Sequence, residues 1–110
     1  MRTFCVTLRN FALMNIVAFR TLREFYEWHP DSETALKVWY KKAITANWKS
    51  PSEVKRDYAT ASIIGDNRVV FNIKGNRFRL VVKFNYKYGW AWVRFIGTHS
   101  EYDKVNVETI

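Results

Sequence analysis

The sequence predicts an α+β domain, in which an N-terminal strand and two to three helices pack on one face of a mostly antiparallel sheet of four to five strands. Apolar residues recur at helical spacing up to about residue 58 and form extended runs after it. The 110 residues are 48% hydrophobic, with five Trp, six Tyr and eight Phe, which fills one core but not two. We therefore expect one domain over residues 14–110.

The first 13 residues are expected to lie outside this domain, as a leader or as the product of a misassigned start. Their apolar stretch resembles that of a signal peptide, but Arg9 and Asn10 interrupt it, so a start at Met14 is favoured over export. Cys5 is the single cysteine, which excludes an internal disulfide and, with only two His, a structural zinc site. A reducing compartment fits this cysteine count best, and no apolar run approaches the ~18 residues of a membrane span.

A buried first strand and a first helix are predicted at the start of the domain. Asn15–Phe19 is apolar and reads as the strand. Glu24 follows Thr21 by three residues, the spacing of a capping box, and predicts a helix that runs through Trp28. Pro30 ends this helix, because the residue before a proline disfavours the helical conformation.

Two more helices are predicted before the sheet. The second begins at Asp31 or Ser32, because an apolar stripe with helical spacing follows. The stripe consists of Leu36, Trp39, Tyr40 and Ala43. Ser50 and Glu53 have capping-box spacing and predict a short third helix to about Tyr58.

The rest of the chain predicts strands rich in β-branched and aromatic residues. These strands are Ala61–Ile64, Arg68–Ile73, Arg77–Phe84 and Trp90–Gly97. The turns at residues 74–76 and 86–89 connect them at hairpin distances, so neighbours are expected to be antiparallel. The segment T-H-S-E at residues 98–101 is a third capping box and predicts a short helical turn over His99–Lys104.

Positive charge is concentrated in the predicted sheet. The net charge is +8, and residues 67–97 contain seven cations and no Asp or Glu, whereas residues 14–66 are nearly neutral. The cations are Arg68, Lys74, Arg77, Arg79, Lys83, Lys87 and Arg94. A basic strand face is often only a solvated surface, but seven cations without an anion favour a partner of opposite sign, with nucleic acid foremost.

Strand alternation assigns four of these cations to one face of the sheet. In one strand, Phe78, Leu80, Val82 and Phe84 are expected in the core, and Arg77, Arg79, Val81 and Lys83 on the opposite face. In the next strand, Val93 and Phe95 are expected on one face, and Trp90, Trp92, Arg94 and Ile96 on the other. Trp90 and Trp92 stay ambiguous, since large aromatics are more often core or interface residues than platforms for base stacking.

One cluster of side chains fits acid–base chemistry. Histidine changes charge closest to neutral pH, and His99 is the only one in the sheet half. It follows directly on the strand that carries Arg94, so His99, Tyr102 and Arg94 are expected to converge at the sheet edge. Such a cluster suits attack of a ribose 2′-hydroxyl on its phosphate, which needs a base, an acid and cations but neither a metal nor another cofactor.

Three stretches carry a resemblance to a known family. W-K-S-P-S-E-V-K, D-N-R-V-V-F-N-I-K-G-N-R-F-R-L-V-V and F-I-G-T-H-S-E-Y-D resemble the HigB toxins, which are RelE-like ribonucleases. The resemblance implies a cytoplasmic toxin that cleaves messenger RNA on the ribosome and is neutralised by a helix-turn-helix antitoxin, HigA. It also implies that His99 and Tyr102 are an acid–base pair and that Arg79 and Arg94 hold the scissile phosphate.

Four further cations are candidate RNA contacts: Lys74 and Arg77 by the resemblance, Lys83 and Arg68 by their place in the basic run. Two other functions stay open. A non-catalytic module would hold RNA or an acidic protein on the basic face without cutting it. A ParE-type relative would inhibit DNA gyrase, although the complete T-H-S-E-Y-D segment counts against that reading.

Overall fold

The computed structural model describes residues 15–17, 19–107 and 109–110. The leader expected at residues 1–13, with Cys5, and the start expected at Met14 lie outside the described residues. None of the helices in the described parts of the chain is both long enough and apolar enough to cross a membrane.

One five-stranded sheet and four α-helices make up the described fold. The helices are α1 (Phe19–Trp28), α2 (Glu33–Thr45), α3 (Pro51–Asp57) and α4 (His99–Tyr102), with a 3₁₀ turn at Pro30–Ser32. The strands are β1 (Asn15–Val17), β2 (Ser62–Ile64), β3 (Arg68–Ile73), β4 (Phe78–Asn85) and β5 (Trp90–Thr98). Their order is β1-β5-β4-β3-β2, with β1 parallel to β5 and the other pairs antiparallel. The α+β prediction is confirmed.

The hydrophobic core lies between the helices and one face of the sheet. Leu22 of α1 and Leu36 of α2 are fully buried against strand residues that include Phe71 and Leu80. Trp48, just before α3, packs its ring against Phe71 and Phe84 at centroid distances of 6.5 and 5.8 Å. Burial of these large side chains is the main stabilising contribution, at roughly 1.5–3 kcal/mol for each fully buried aliphatic or Phe side chain.

The first helix begins earlier than its sequence signal indicates. α1 starts at Phe19, so the prediction that Phe19 closes the first strand is wrong. Thr21 and Glu24 lie inside the helix and form no capping box there. Glu24 instead accepts a hydrogen bond from Arg20 at 3.0 Å, since residues four apart are neighbours on a helix surface.

The other two capping boxes differ in outcome. Ser50 precedes α3 as predicted, but its hydroxyl hydrogen-bonds Ser52, and the Glu53 carboxylate accepts from the Lys49 amide at 2.8 Å. The box at Thr98 and Glu101 forms as predicted, with hydrogen bonds of 2.8 and 3.1 Å. α4 is therefore fixed directly to the end of β5.

A β-bulge in β5 changes which side chains share a face. Val81 pairs with Phe95 and Val82 pairs with Val93, so Arg94 is an extra residue. One inserted residue reverses the alternation beyond it. The prediction that Val93 and Phe95 share a face is therefore wrong, as is the placement of Ile96 beside the tryptophans. Val93 and Ile96 pack on the core.

We call the sheet face opposite the helices the outer face. Its side chains are Arg68, Val70 and Asn72 of β3, Arg79, Val81 and Lys83 of β4, and Trp90, Trp92 and Phe95 of β5. This face is only partly open to solvent. Val70 and Val81 are buried, Tyr102 of α4 packs on Phe95 with ring centroids 6.3 Å apart, and the main-chain oxygen of Ile110 contacts Arg68. Residues after β5 cover part of it.

Gly97 of the outer face has little space for a side chain. A Cβ there would lie 2.6 Å from Cζ of Phe95 and 2.8 Å from Oε1 of Glu101. We expect Gly97→Ala to displace the ring and the capping carboxylate and to lower the free energy of unfolding by about 1–3 kcal/mol, measured by urea denaturation. Gly65→Ala is the matched control, because a Cβ at Gly65 meets nothing within 4 Å. Equal midpoints for the two variants would contradict the close approach.

Candidate functional site

Arg79 lies on the outer face, directly opposite Gly97 of β5. Its guanidinium donates to Oδ1 of Asn76 at 2.6 Å and to the main-chain oxygen of Phe78 at 3.3 Å, so it leans toward the β3–β4 turn. The side chain is half-buried, and the Asn76 contact uses a neutral acceptor. Both of these acceptors are neutral, so neither offsets the charge of the Arg79 guanidinium at this end of the outer face.

His99 and Tyr102 stand three residues apart on α4. The amide of His99 donates to the main-chain oxygen of Arg77 at 3.0 Å, which ties α4 to the β3–β4 turn beside Arg79. Nδ1 of His99 lies 3.2 Å from a carboxylate oxygen of Asp103, and the imidazole is 45% exposed. The ring therefore has a defined partner on one nitrogen and access to solvent.

Asp103 contacts the candidate residue His99, and the sequence patterns did not single it out. It occurs in the quoted T-H-S-E-Y-D segment, and its i,i+4 spacing from His99 on a helical turn was the available signal. A carboxylate on Nδ1 holds the imidazole in one orientation and leaves Nε2 for a substrate.

Arg94 occupies the bulge in β5, and its side chain is exposed. Arg94 and His99 are five positions apart, which corresponds to ~16 Å of strand. Between them lies Phe95, on which the Tyr102 ring packs. Among the described residues, no hydrogen bond or ring contact joins Arg79, Arg94, His99 and Tyr102 directly; the structure places Arg79, His99 and Tyr102 toward one end of β5 and Arg94 nearer its middle.

A groove of about 680 Å³ lies on the outer face beyond Arg94, and we call it the outer groove. It is lined by Asp66, Asn67, Lys83, Phe84, Asn85, Tyr86, Lys87, Trp92 and Arg94. Three of these residues are cations and one is an acid. Hydrogen bonds from Arg68 and then Lys83 hold the pKa of Asp66 below its usual value, so its charge is already paired with cations.

The four predicted RNA contacts occupy different surroundings. Lys83 lines the outer groove. Arg68 is buried and donates to Asp66 and to the Ile110 main-chain oxygen, at 2.7 and 2.6 Å, so its donors are used within the protein. Lys74 is exposed in the β3–β4 turn, beside a pocket formed with the 3₁₀ turn and α2.

Arg77 lies on the helix side of the sheet. It pairs with Asp31 of the 3₁₀ turn at 2.9 Å, so the prediction that it shares a face with Arg79 is wrong. The reason is that β4 begins at Phe78, and strand alternation does not extend to the turn residue before it. In the described parts of the chain, no group of three His, Cys, Asp or Glu side chains is arranged to hold a metal ion.

Comparison with known proteins assigns the chain to a family. Residues 32–105 match the model of the HigB_toxin family, described as the RelE-like toxic component of a toxin-antitoxin system. Similar proteins are the mRNA interferase toxin HigB of Escherichia coli K12 and the mRNA interferases HigB of Escherichia coli O157:H7 and Shigella flexneri. Each is 25% identical over 92 residues, which cover 82% of this chain and 88% of the relative.

The family match includes α2 to α4, the whole antiparallel part of the sheet and every predicted site residue. The resemblance expected from the sequence motifs is thereby confirmed. The chain belongs to the HigB_toxin family, the RelE-like toxic component of toxin-antitoxin systems.

Proposed function

We propose that this toxin is an mRNA interferase, an endoribonuclease that cleaves messenger RNA and so inhibits translation. The observation that carries the proposal is the His99–Asp103 pair at the end of β5, beside a sheet face with exposed cations. Relatives that match 82% of the chain are named mRNA interferases, which supports the same assignment.

The reaction proposed is attack of a ribose 2′-hydroxyl on the neighbouring phosphate. The 2′-oxygen forms a bond to phosphorus, and the bond from phosphorus to the 5′-oxygen breaks. One group takes the proton of the 2′-hydroxyl, and another gives a proton to the leaving 5′-oxygen. His99 and Tyr102 are the proposed acid–base pair, and neither a metal nor another cofactor enters the mechanism.

Asp103 and the arginines complete the proposed site. Asp103 orients the imidazole through Nδ1 and is therefore a positioning residue. Arg79 and Arg94 would stabilise the extra charge of the crowded phosphorane, since a guanidinium offers a planar fork of donors that fits phosphate. Because ~16 Å of strand separates Arg94 from His99, the arginine side chain must lean along β5 to reach the same phosphate.

The ribosome is the proposed place of cleavage, in the cytoplasm. The His99 and Asp103 side chains are exposed, so the cleavage rate of this site depends strongly on how the RNA is held against it. Holding the message in a reactive geometry supplies up to ~7–11 kcal/mol of the barrier reduction in favourable cases. A ribosome-bound message would therefore be cut far faster than free RNA.

The proposed partner is a helix-turn-helix antitoxin of the HigA kind, since a toxin of such a system has an antitoxin. A chain with a net charge of +8 favours an acidic partner that covers its cations. Co-expression with the adjacent reading frame should yield a complex that survives purification. Recovery of the toxin alone would contradict this pairing.

The activity itself can be separated from its alternatives in one experiment. Sequencing RNA 5′ ends after brief induction should reveal new ends within coding regions. A non-catalytic RNA-binding module would arrest growth without new ends, and a gyrase inhibitor would instead damage DNA. Either of those outcomes would overturn the nuclease proposal.

We expect His99→Ala and Arg94→Ala to abolish growth arrest and to lower messenger cleavage in a purified translation reaction by roughly 100-fold or more, because each removes a group proposed to act on the phosphodiester. Both side chains are at least partly exposed, so circular dichroism should show native folding. Lys104→Gln is the control, since it removes an exposed charge beside α4. Full cleavage by the His99 and Arg94 variants would refute the site.

Asp103→Asn should lower the single-turnover cleavage rate by roughly 10-fold, with little change in the toxin concentration that gives half the maximal rate, because the carboxylate orients the His99 imidazole and does not bind RNA. Asp103→Glu keeps the charge and should recover part of the rate. A change confined to the half-saturating concentration would show that Asp103 acts in binding instead.

A further inference from the structure

Two tryptophans form a stacked pair on the outer face. The rings of Trp90 and Trp92 have centroids 6.1 Å apart and an interplanar angle of 18°. Trp90 is 42% exposed, although burial of an indole is favourable. The cross-strand partners of Trp90 and Trp92 are Asn85 and Lys83, which places the pair on the side of the sheet opposite the hydrophobic core.

The pair adjoins the outer groove. Trp92 lines the groove together with Lys83, Lys87 and Arg94. The volume of about 680 Å³ lies within the range of roughly 300–1,000 Å³ that ligand sites occupy. An exposed aromatic platform and three cations therefore border the same space.

We propose that the Trp90–Trp92 pair and the outer groove form a subsite for single-stranded RNA, in which an unpaired base stacks on the indoles and Lys83 and Lys87 contact its flanking phosphates. The proposal rests on the proposed function, since it takes RNA as the substrate, and it names a binding element separate from the His99 site.

The chemistry of the groove favours this ligand. Exposed rings bind unpaired bases, because a base inside a duplex offers no free face for stacking. Asp66 is the one acid among the lining residues, and Arg68 and Lys83 hold its carboxylate, so the groove retains net positive charge. Tyr86 adds no negative charge near neutral pH, and burial of its hydroxyl raises its pKa further, to about 12.

Distance separates this subsite from the proposed chemistry. Trp92 and His99 are seven positions apart, with six residues of β5 between them, which corresponds to ~23 Å of strand. A base on the indoles therefore belongs to a nucleotide other than the one that is cleaved. The subsite would act on RNA affinity and not on the chemical step, and it would tolerate different bases, because every base has a face that stacks.

The test is binding of a fluorescently labelled 12-nucleotide single-stranded RNA, followed by anisotropy at fixed salt. Trp90→Ala and Trp92→Leu should each weaken binding by about 10- to 100-fold, and Trp92→Phe, which keeps a ring, should retain most of the affinity. Trp28→Ala is the matched control, because Trp28 is 84% exposed at the end of α1 and should leave binding unchanged.

An abasic RNA distinguishes stacking from charge. The native protein should bind the same 12-mer without its central bases more weakly than it binds intact RNA. The Trp90→Ala variant should bind the two RNAs with equal affinity. Equal affinity of the native protein and both tryptophan variants for intact RNA would overturn the proposal. The proposal would also be overturned if the tryptophan substitutions weakened binding of intact RNA and of abasic RNA by the same factor.

Cleavage in a purified translation reaction separates this proposal from the proposed function. Tryptophan-dependent binding by a native protein that cleaves nothing would support the subsite and overturn the nuclease. Cleavage by a native protein whose RNA affinity does not depend on the tryptophans would support the nuclease and overturn the subsite.

Discussion

The register between β4 and β5 is the constraint on which the rest of this structure depends. These two central strands run antiparallel along most of their length, and the bulge at Arg94 interrupts their alternation once. Before the bulge, Trp90 and Trp92 face outward; after it, Phe95 does so too. A continuous ladder would bury Phe95 in the core and expose Ile96. The single extra residue therefore decides which aromatic rings lie beside the cations.

Residues that follow β5 cover part of the outer face. Tyr102 packs on Phe95. On the same face Val70 and Val81 are buried, and the enclosed guanidinium of Arg68 donates hydrogen bonds from all three of its nitrogens. A buried cation is tolerated only when its donors are satisfied, and removal of a partner is strongly destabilising. The covered part of this face is therefore structural, and the part that stays accessible is the outer groove and the rim near His99.

The two accessible regions lie toward opposite ends of β5 and differ in their chemistry. At one end, the capping box of α4 fixes a helix whose first residue is His99 and whose next turn supplies Asp103. Toward the other end, the outer groove has room, positive charge and stacked indoles but no histidine. In a small RelE-like toxin, one element would hold a nucleobase of the RNA and another would carry out the chemistry. A single sheet would then both hold a flexible single-stranded RNA and act on one of its phosphates.

Much of this architecture follows from local signals in the sequence. Helical spacing located α2, hairpin turns located β3 to β5, and the capping box at Thr98 and Glu101 fixed the start of α4. Strand alternation placed Arg79 and Lys83 on the outer face. These signals work because they depend on residues close in the chain. The bulge, the turn of Arg77 toward Asp31, the burial of Arg68 and the early start of α1 were decided by tertiary structure. Each of these features depends on a partner distant in sequence or on competition between two local structures. The sequence alone does not show which of the competing arrangements has the lower free energy.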